Sequence, residues 1–269
     1  MRRFYLPPER CRGSRLLLEG REAHHAMHVL RLRPGERVTV LDGAGCELQC
    51  KVDAARQGAL PLVVAERINT PPLPCQVTLL QAIPKGKVFE TIIQKATELG
   101  AARVIPVLTE RTVSDLSEKD CAKKLTKWRQ VAIEAIKQCG SPWLPQIEMP
   151  LTPTQFQARN ERFELPLVAS LQGDRRHPRE WFNQFQSEYG RLPSTACIWI
   201  GPEGDFTPAE IESIQQAGAR PITLGSLVLR SDTAAIYCLS VMSYEFQAGN
   251  NVIATGATRE TRGPGVPGA

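Results

Sequence analysis

Metal-type cysteine pairs, long apolar runs and nucleotide-binding loops are all missing from this 269-residue chain. Each absence closes off a class of function. The eight cysteines, Cys11, Cys46, Cys50, Cys75, Cys121, Cys139, Cys197 and Cys238, never stand as C-x-x-C. That removes the usual zinc-ribbon and dithiol redox sites. No apolar stretch approaches the ~18 residues of a membrane-spanning helix. Residues 1–15 are arginine-rich, broken by Pro7 and Pro8, and lack the apolar core of a secretory signal. A cytoplasmic protein with no membrane partner and reduced, buried thiols is therefore expected. No G-x-x-x-x-G-K-[ST] occurs, which argues against a P-loop nucleotidase. Gly263-Pro264-Gly265-Val266-Pro267-Gly268 spells G-x-G-x-x-G, but no strand precedes it and no helix can follow. Histidine is scarce as well. His24 and His28 fall one helical turn apart, yet no carboxylate or thiol stands at ligand spacing, so no metal site is expected.

What is present begins with charge. The net charge is +5, and its distribution says more than its size. Residues 1–72 carry 12 basic and 8 acidic groups, whereas residues 146–269 carry 10 and 13. Arg2, Arg3, Arg10, Arg12, Arg15, Arg21, Arg31 and Arg33 crowd the start. A solvated basic surface is the plain explanation; a face for a polyanion is the functional one.

The patterning divides the chain. Residues 1–70 read as short strands (Arg2–Leu6, Ser14–Leu18, Glu36–Leu41, Glu47–Val52, Leu60–Arg67) with one helix over Arg21–Leu30, which predicts a small β-barrel. Cys46 and Cys50 fall on one side of their strand. Three prolines in Pro71-Pro72-Leu73-Pro74 predict a stiff linker at 71–75. Strands and helices then alternate over 76–248. The strands are Gln76–Ile83, Arg103–Leu108, Leu165–Ser170, Ala196–Ile200 and Pro221–Leu224. The helices are Val88–Leu99, Lys119–Cys139, Pro178–Tyr189, the helix opened by the capping box Thr207-Pro208-Ala209-Glu210, and Thr233–Gln247. This predicts an α/β domain with a parallel sheet covered on both faces. Residues 249–269 are expected to form a disordered tail.

Ligands of parallel sheets sit beyond the carboxyl ends of the strands. Three such ends are unusual here: Leu171–Arg176, Gly201-Pro202-Glu203-Gly204-Asp205-Phe206, and Gly225–Thr233. Gly201, Gly204 and Gly225 let a ligand approach the main chain. Glu203 places a carboxylate where ribose hydroxyls could meet it. Leu227, Val228 and Leu229 form an apolar run inside a loop, which would bury against a flat ligand or fold into the core. A turn into a capped helix is the bland alternative for the 201–206 segment, as is a helix cap for Ser231 or Asp232. Neither accounts for Arg230.

These blocks carry a resemblance. Ile200-Gly201-Pro202-Glu203-Gly204-Asp205-Phe206-Thr207 followed by Leu224-Gly225-x-x-x-Leu229-Arg230-Ser231-Asp232-Thr233 resembles the signature of the RsmE family of 16S rRNA uridine N3-methyltransferases, in the SPOUT superfamily. The likeness runs from Met1 to Phe246. Arg2-Arg3-Phe4-Tyr5, the His24–Gly35 stretch and Leu41-Asp42-Gly43 resemble its PUA-like barrel. Lys85-Gly86, Glu90, Ile93-Gln94-Lys95, Glu98-Leu99-Gly100 and Glu110-Arg111 resemble the start of its catalytic domain.

The resemblance implies a trefoil-knotted parallel sheet behind a PUA-like barrel, a homodimer, and S-adenosyl-L-methionine as methyl donor. Carried over, Leu171, Gly201, Glu203, Gly204, Leu224, Gly225 and Leu229 would contact the donor. The substrate would be 16S rRNA of the small ribosomal subunit. N3 of uridine is a weak nucleophile until its proton leaves, so a cation to stabilise the anion and a carboxylate to take the proton are needed. Arg230 and Asp232 are the candidates for these roles. N3 lies on the pairing edge, so the base must be unpaired or flipped. Arg3, Arg31 and Arg111 are candidates for RNA contacts. The chain departs from the pattern at Asp205 (a second glycine is common there), Leu227 (frequently arginine), Ser231-Asp232 (usually Thr-Glu) and Ser141 (often arginine). The missing arginines bear on RNA contacts more than on the donor. A transferase acting on another base or a ribose 2′-hydroxyl, or a non-catalytic RNA-binding protein, stays open at this level.

Overall fold

The structure, a computed structural model, describes residues 2–55, 58–112 and 118–247; the predicted tail lies outside them. Valine, leucine and threonine at alternating positions build a first sheet of five strands: β1 (Arg3–Tyr5), β2 (Arg15–Leu18), β3 (Arg37–Leu41), β4 (Cys46–Val52) and β5 (Leu60–Asn69). Their order is β1-β3-β4-β5-β2, antiparallel except for the parallel pair β1/β3. Phe4, Leu16, Leu18, Val38, Val40, Leu48, Cys50, Leu60 and Leu62 close its core. The expected single helix over 21–30 is instead a short α1 (Gly20–His24) that widens into a π-helical turn, His25–Val29. It contributes Ala23 and Ala26 to the same core.

The second sheet has six parallel strands: β6 (Gln76–Ala82), β7 (Arg103–Val107), β8 (Gln146–Ile147), β9 (Leu165–Ala169), β10 (Thr195–Ile200) and β11 (Arg220–Ile222), ordered β11-β9-β10-β6-β7-β8. The two-residue β8 is too short to show a period in sequence. Helices α2 (Val88–Glu98), α3 (Glu118–Cys139), α5 (Pro178–Tyr189) and α7 (Ser231–Gln247) pack on one side. Helices α4 (Pro153–Gln157) and α6 (Pro208–Gln216) cover the other. Helix α2 shows how pattern becomes packing. Phe89, Ile92, Ile93 and Ala96 are buried, with the Phe89 ring 4.6 Å from that of Trp128 on α3. Each large apolar side chain so buried contributes roughly 1.5–3 kcal/mol. Val88, at the first position of the helix, is 36% exposed.

The two sheets are fastened together. Trp143 donates its indole N–H to the carbonyls of Thr70 (3.1 Å) and Pro71 (3.2 Å). Lys137, on α3, pairs with Glu22 on α1 at 2.8 Å. The expected proline-rich linker is thus held at its start by an indole of the second sheet's module.

Six of the eight cysteines are buried, as expected; Cys46 is half-buried and Cys139 is exposed, because its helix ends there. Burial pushes the thiols of Cys75, Cys197 and Cys238 up to about 12. These groups stay protonated and act as small apolar side chains. The rings of His24 and His28 lie 4.8 Å apart, with no metal-ligating cluster among the described residues. No helix of the described residues is long and apolar enough to cross a membrane.

Candidate functional site

Parallel pairing aligns the carboxyl ends of β9, β10 and β6, since Ile200 lies opposite both Ala169 and Gln81. The loops that leave β9, β10 and β11 therefore meet at one edge. Together with the start of α7 they enclose a cleft holding about 570 Å³ of empty space, counting its mouth. Leu171, Gly201, Glu203, Leu224, Gly225 and Leu229 all line it, as carried over from the family pattern. Gly204 does not; it sits beside the cleft, where its carbonyl accepts a hydrogen bond from Arg111. Ser170, Arg175, Asp205, Thr223, Val228 and Ser231 also line the cleft and were not among the predicted donor contacts.

The backbone around the cleft is constrained in three places. Gly225 has φ 113°, open to glycine and strained for other residues. Gly201 is hemmed in: a Cβ there would stand 3.2 Å from Oδ1 of Asp205 and 3.2 Å from the Phe206 ring. Its carbonyl accepts a hydrogen bond from the Ser231 hydroxyl (2.8 Å), and that hydroxyl accepts one from Nε2 of Gln81 (2.8 Å). Gln81 is fully buried, and its Oε1 has no partner among the described residues. Ser231, readable in sequence as a helix cap, is instead part of the cleft wall. Asp205 adopts φ 60°, the left-handed region that aspartate tolerates better than most residues. This accounts for the glycine common at that place. The Thr207–Glu210 capping box forms as predicted. The buried Glu210 carboxylate also accepts from the Glu110 amide at 3.0 Å, tying α6 to the loop after β7.

The chemistry of the lining is mixed. Leu171 (49% exposed), Leu227 (76%) and Val228 (74%) hold apolar surface open around the cleft. Such surface in a loop fits the face of a planar heterocycle better than it fits water. Glu203 is exposed and, among the described residues, free of any cation. The strand-end glycines bring main-chain groups to the surface between them. A carboxylate for hydroxyls, apolar side chains for a flat base and accessible backbone together fit an adenosyl group.

Arg230 is exposed and does not itself line the cleft; it stands in the chain between the lining residues Leu229 and Ser231, with no carboxylate partner among the described residues. Asp232 is half-buried in the first turn of α7, and its Oδ1 accepts from the Thr233 amide at 2.9 Å. The three arginines predicted for RNA are not brought together. Arg111 lies against the 201–206 loop, donating to the carbonyls of Gly204 and Phe206. Arg31 is exposed in the first sheet's module at φ 51°. Arg3 is half-buried. Its guanidinium is turned onto the end of α3 and donates to the carbonyls of Lys137 (3.2 Å) and Gln138 (3.0 Å). Helix ends leave carbonyls unpaired, and a cation is the natural cap for them. That structural demand claims Arg3. Arg2, Arg10 and Arg21 are likewise paired, with Glu36, Glu19 and Glu134. The basic charge left free on the first module, among the described residues, includes Arg12, Arg15, Arg31 and Arg37.

Comparison with known proteins agrees with this geometry. Residues 71–243 match the model of the RNA methyltransferase domain, and residues 18–58 that of the RNA methyltransferase PUA domain. The chain is 32% identical over 235 residues to the ribosomal RNA small subunit methyltransferase E of Bacillus subtilis, covering 85% of this chain and 89% of that one. It is 34% identical to its counterpart in Synechocystis, covering 88% and 76%. Among solved structures it is similar to a methyltransferase of Legionella pneumophila with bound S-adenosylmethionine, at TM-score 0.80 and 31% identity over 90% of this chain and 96% of that one.

Proposed function

We propose, on the premise that the chain belongs to the ribosomal RNA small subunit methyltransferase E family, that it methylates N3 of a uridine in 16S ribosomal RNA with S-adenosylmethionine as donor. The observation that carries the reading is the shared cleft at the ends of β9, β10 and β11, where glycine-bearing bends and open apolar side chains converge. When bound, S-adenosylmethionine supplies an electrophilic methyl group on a sulfonium, so the protein has chiefly to align donor and acceptor.

The chain's own residues divide that work. Leu171, Leu227, Val228 and Leu229 would hold the base of the donor. Glu203 would meet its ribose hydroxyls, and the main chain at Gly201, Leu224 and Gly225 would contact the rest of it. Arg230 stabilises the uracil anion as the N3 proton leaves. Asp232 takes that proton, directly or through water. Free arginines of the first module, Arg31 among them, bind phosphate, and Arg111 serves both the 201–206 loop and the RNA beside it. We place the module boundary at residues 71–75, between the barrel at 1–70 and the catalytic domain at 76–248. The reading extends to a trefoil-knotted threading of the second sheet and to a homodimer. Tyr237 and Tyr244 on α7, 41% and 72% exposed, support the latter by leaving an aromatic helix face open to a second copy. Acting on 16S rRNA places the protein in the cytoplasm with the small subunit.

The test is transfer of a labelled methyl group from S-adenosylmethionine to isolated small-subunit and large-subunit ribosomal RNA. Label is expected in the small-subunit RNA alone. Arg230→Ala should abolish transfer while donor binding, read by calorimetry, stays within about twofold. Absence of donor binding at millimolar concentration would favour a non-catalytic RNA-binding protein.

A further inference from the structure

Asp205 departs from the family pattern and is the most heavily used carboxylate around the cleft. It is buried, 8% exposed, and held at φ 60°. Oδ2 accepts from the Leu171 amide (3.1 Å) and from Nε2 of Gln172 (3.1 Å); Oδ1 accepts from the Phe206 amide (2.9 Å). Gln172 completes the link by donating to the Phe206 carbonyl at 2.8 Å. Leu171 and Gln172 belong to the loop after β9, Asp205 and Phe206 to the loop after β10. Oδ1 also lies 3.2 Å from where a Cβ on Gly201 would stand.

A glycine at this place would satisfy the backbone angle and do nothing more. The aspartate accepts the same angle and adds three hydrogen bonds, two of them across the gap between loops. Bonds to an ionised acceptor are stronger than neutral ones. Loops tied in this way lose the freedom they would otherwise have to give up on binding a ligand.

We propose that Asp205 is a positioning residue: it clamps the loop after β9 to the loop after β10 and so fixes the width of the methyl-donor cleft before the donor arrives. The inference rests on the reading of that cleft as the S-adenosylmethionine site. Asp205 performs no step of the reaction. It holds the Leu171 main chain so that the Leu171 side chain stays on the cleft wall.

The test compares the wild-type chain with Asp205→Gly, Asp205→Asn and Gln172→Leu. Glycine keeps the left-handed backbone and removes the clamp. Asparagine keeps the backbone tolerance and an accepting oxygen, but turns an N–H toward donors. Gln172→Leu leaves Asp205 in place and deletes the side-chain bridge, so the idea stays testable if an Asp205 variant fails to fold. The measurements are the dissociation constant for S-adenosylmethionine by calorimetry, KM for donor and for RNA, and Tm. Asp205→Gly should raise the donor dissociation constant at least tenfold, Asp205→Asn less, and Gln172→Leu by a few-fold. KM for donor should follow, while kcat at saturating donor and KM for RNA stay within about twofold. Donor affinity within twofold of wild type in Asp205→Gly and Gln172→Leu would overturn the proposal. So would an equal loss in donor and RNA parameters that tracks Tm. Failure of the wild-type chain to bind the donor would instead overturn the reading of the cleft.

Discussion

Replacing Ser231 by alanine removes one oxygen and disconnects three elements. The hydroxyl donates to the Gly201 carbonyl and accepts from Gln81, both at 2.8 Å. Two hydrogen bonds contribute together about 2 kcal/mol net. One buried N–H of Gln81 also loses its acceptor, although the side chain keeps its bond to the Ala82 carbonyl at 2.9 Å. The expected destabilisation is about 2–3 kcal/mol, or a fall in Tm of roughly 5–10 °C for a module of this size. Donor affinity should fall with it, because the Gly201 carbonyl lies on the cleft wall. Gln81→Met supplies the control. Methionine fills similar volume, needs no partner and removes the buried Oε1 that has none. In the double variant no buried N–H of residue 81 is left without an acceptor and only the Gly201 carbonyl lacks its donor, so Gln81→Met with Ser231→Ala should cost no more than Ser231→Ala alone. Urea or thermal unfolding of the four proteins gives the coupling, expected to exceed about 1 kcal/mol. Costs that add to within about 0.5 kcal/mol would refute the relay from Gln81 to Gly201.

Two further outcomes follow from groups outside the cleft. Glu164 accepts two bonds from Arg191 (2.9 and 2.6 Å) and two from Ser194 (2.7 and 3.1 Å), which hold its carboxyl down to about 2. Its contribution is complete above about pH 4.5, where the unfolded-state group is ionised, and is lost as pH falls toward 2. The Glu164 side chain is 30% exposed and that of Arg191 52%, so screening reduces the effect to roughly 1 kcal/mol. Glu164→Gln should lower stability by that amount at pH 7, with the gap to wild type closing in acid; a gap that is constant with pH would contradict the assignment. In thiol labelling of the native protein, exposed Cys139 should react fast and half-buried Cys46 more slowly, with the other six cysteines reacting only on unfolding. Rapid labelling of Cys197 or Cys238 would contradict their burial.

Much of this architecture is legible without coordinates because its signals are local. The Thr207-Pro208-Ala209-Glu210 box announces α6, and the apolar stripe of α2 appears in the spacing of Phe89, Ile92, Ile93 and Ala96. The strand-end loops stand out because glycine, an acid and a free arginine have no reason to cluster in an ordinary turn. What escapes notice is non-local. Gln81 reads as an ordinary strand residue until Ser231, 150 positions away, is seen beside it. Arg3 belongs to an arginine-rich start, and only the end of α3 shows that its guanidinium is already engaged. Asp205 looks like a loss at a glycine position until the Leu171 amide is found within its reach. In each case the deciding partner lies on an element remote in sequence.

The identity of the methylated atom tests the account most directly. Small-subunit RNA treated with the protein and S-adenosylmethionine, digested to nucleosides and resolved by chromatography with mass spectrometry, should contain 3-methyluridine that is absent when Arg230→Ala is used. A methyl group recovered on a ribose 2′-hydroxyl or on another base would contradict the assignment of the cleft to N3 chemistry.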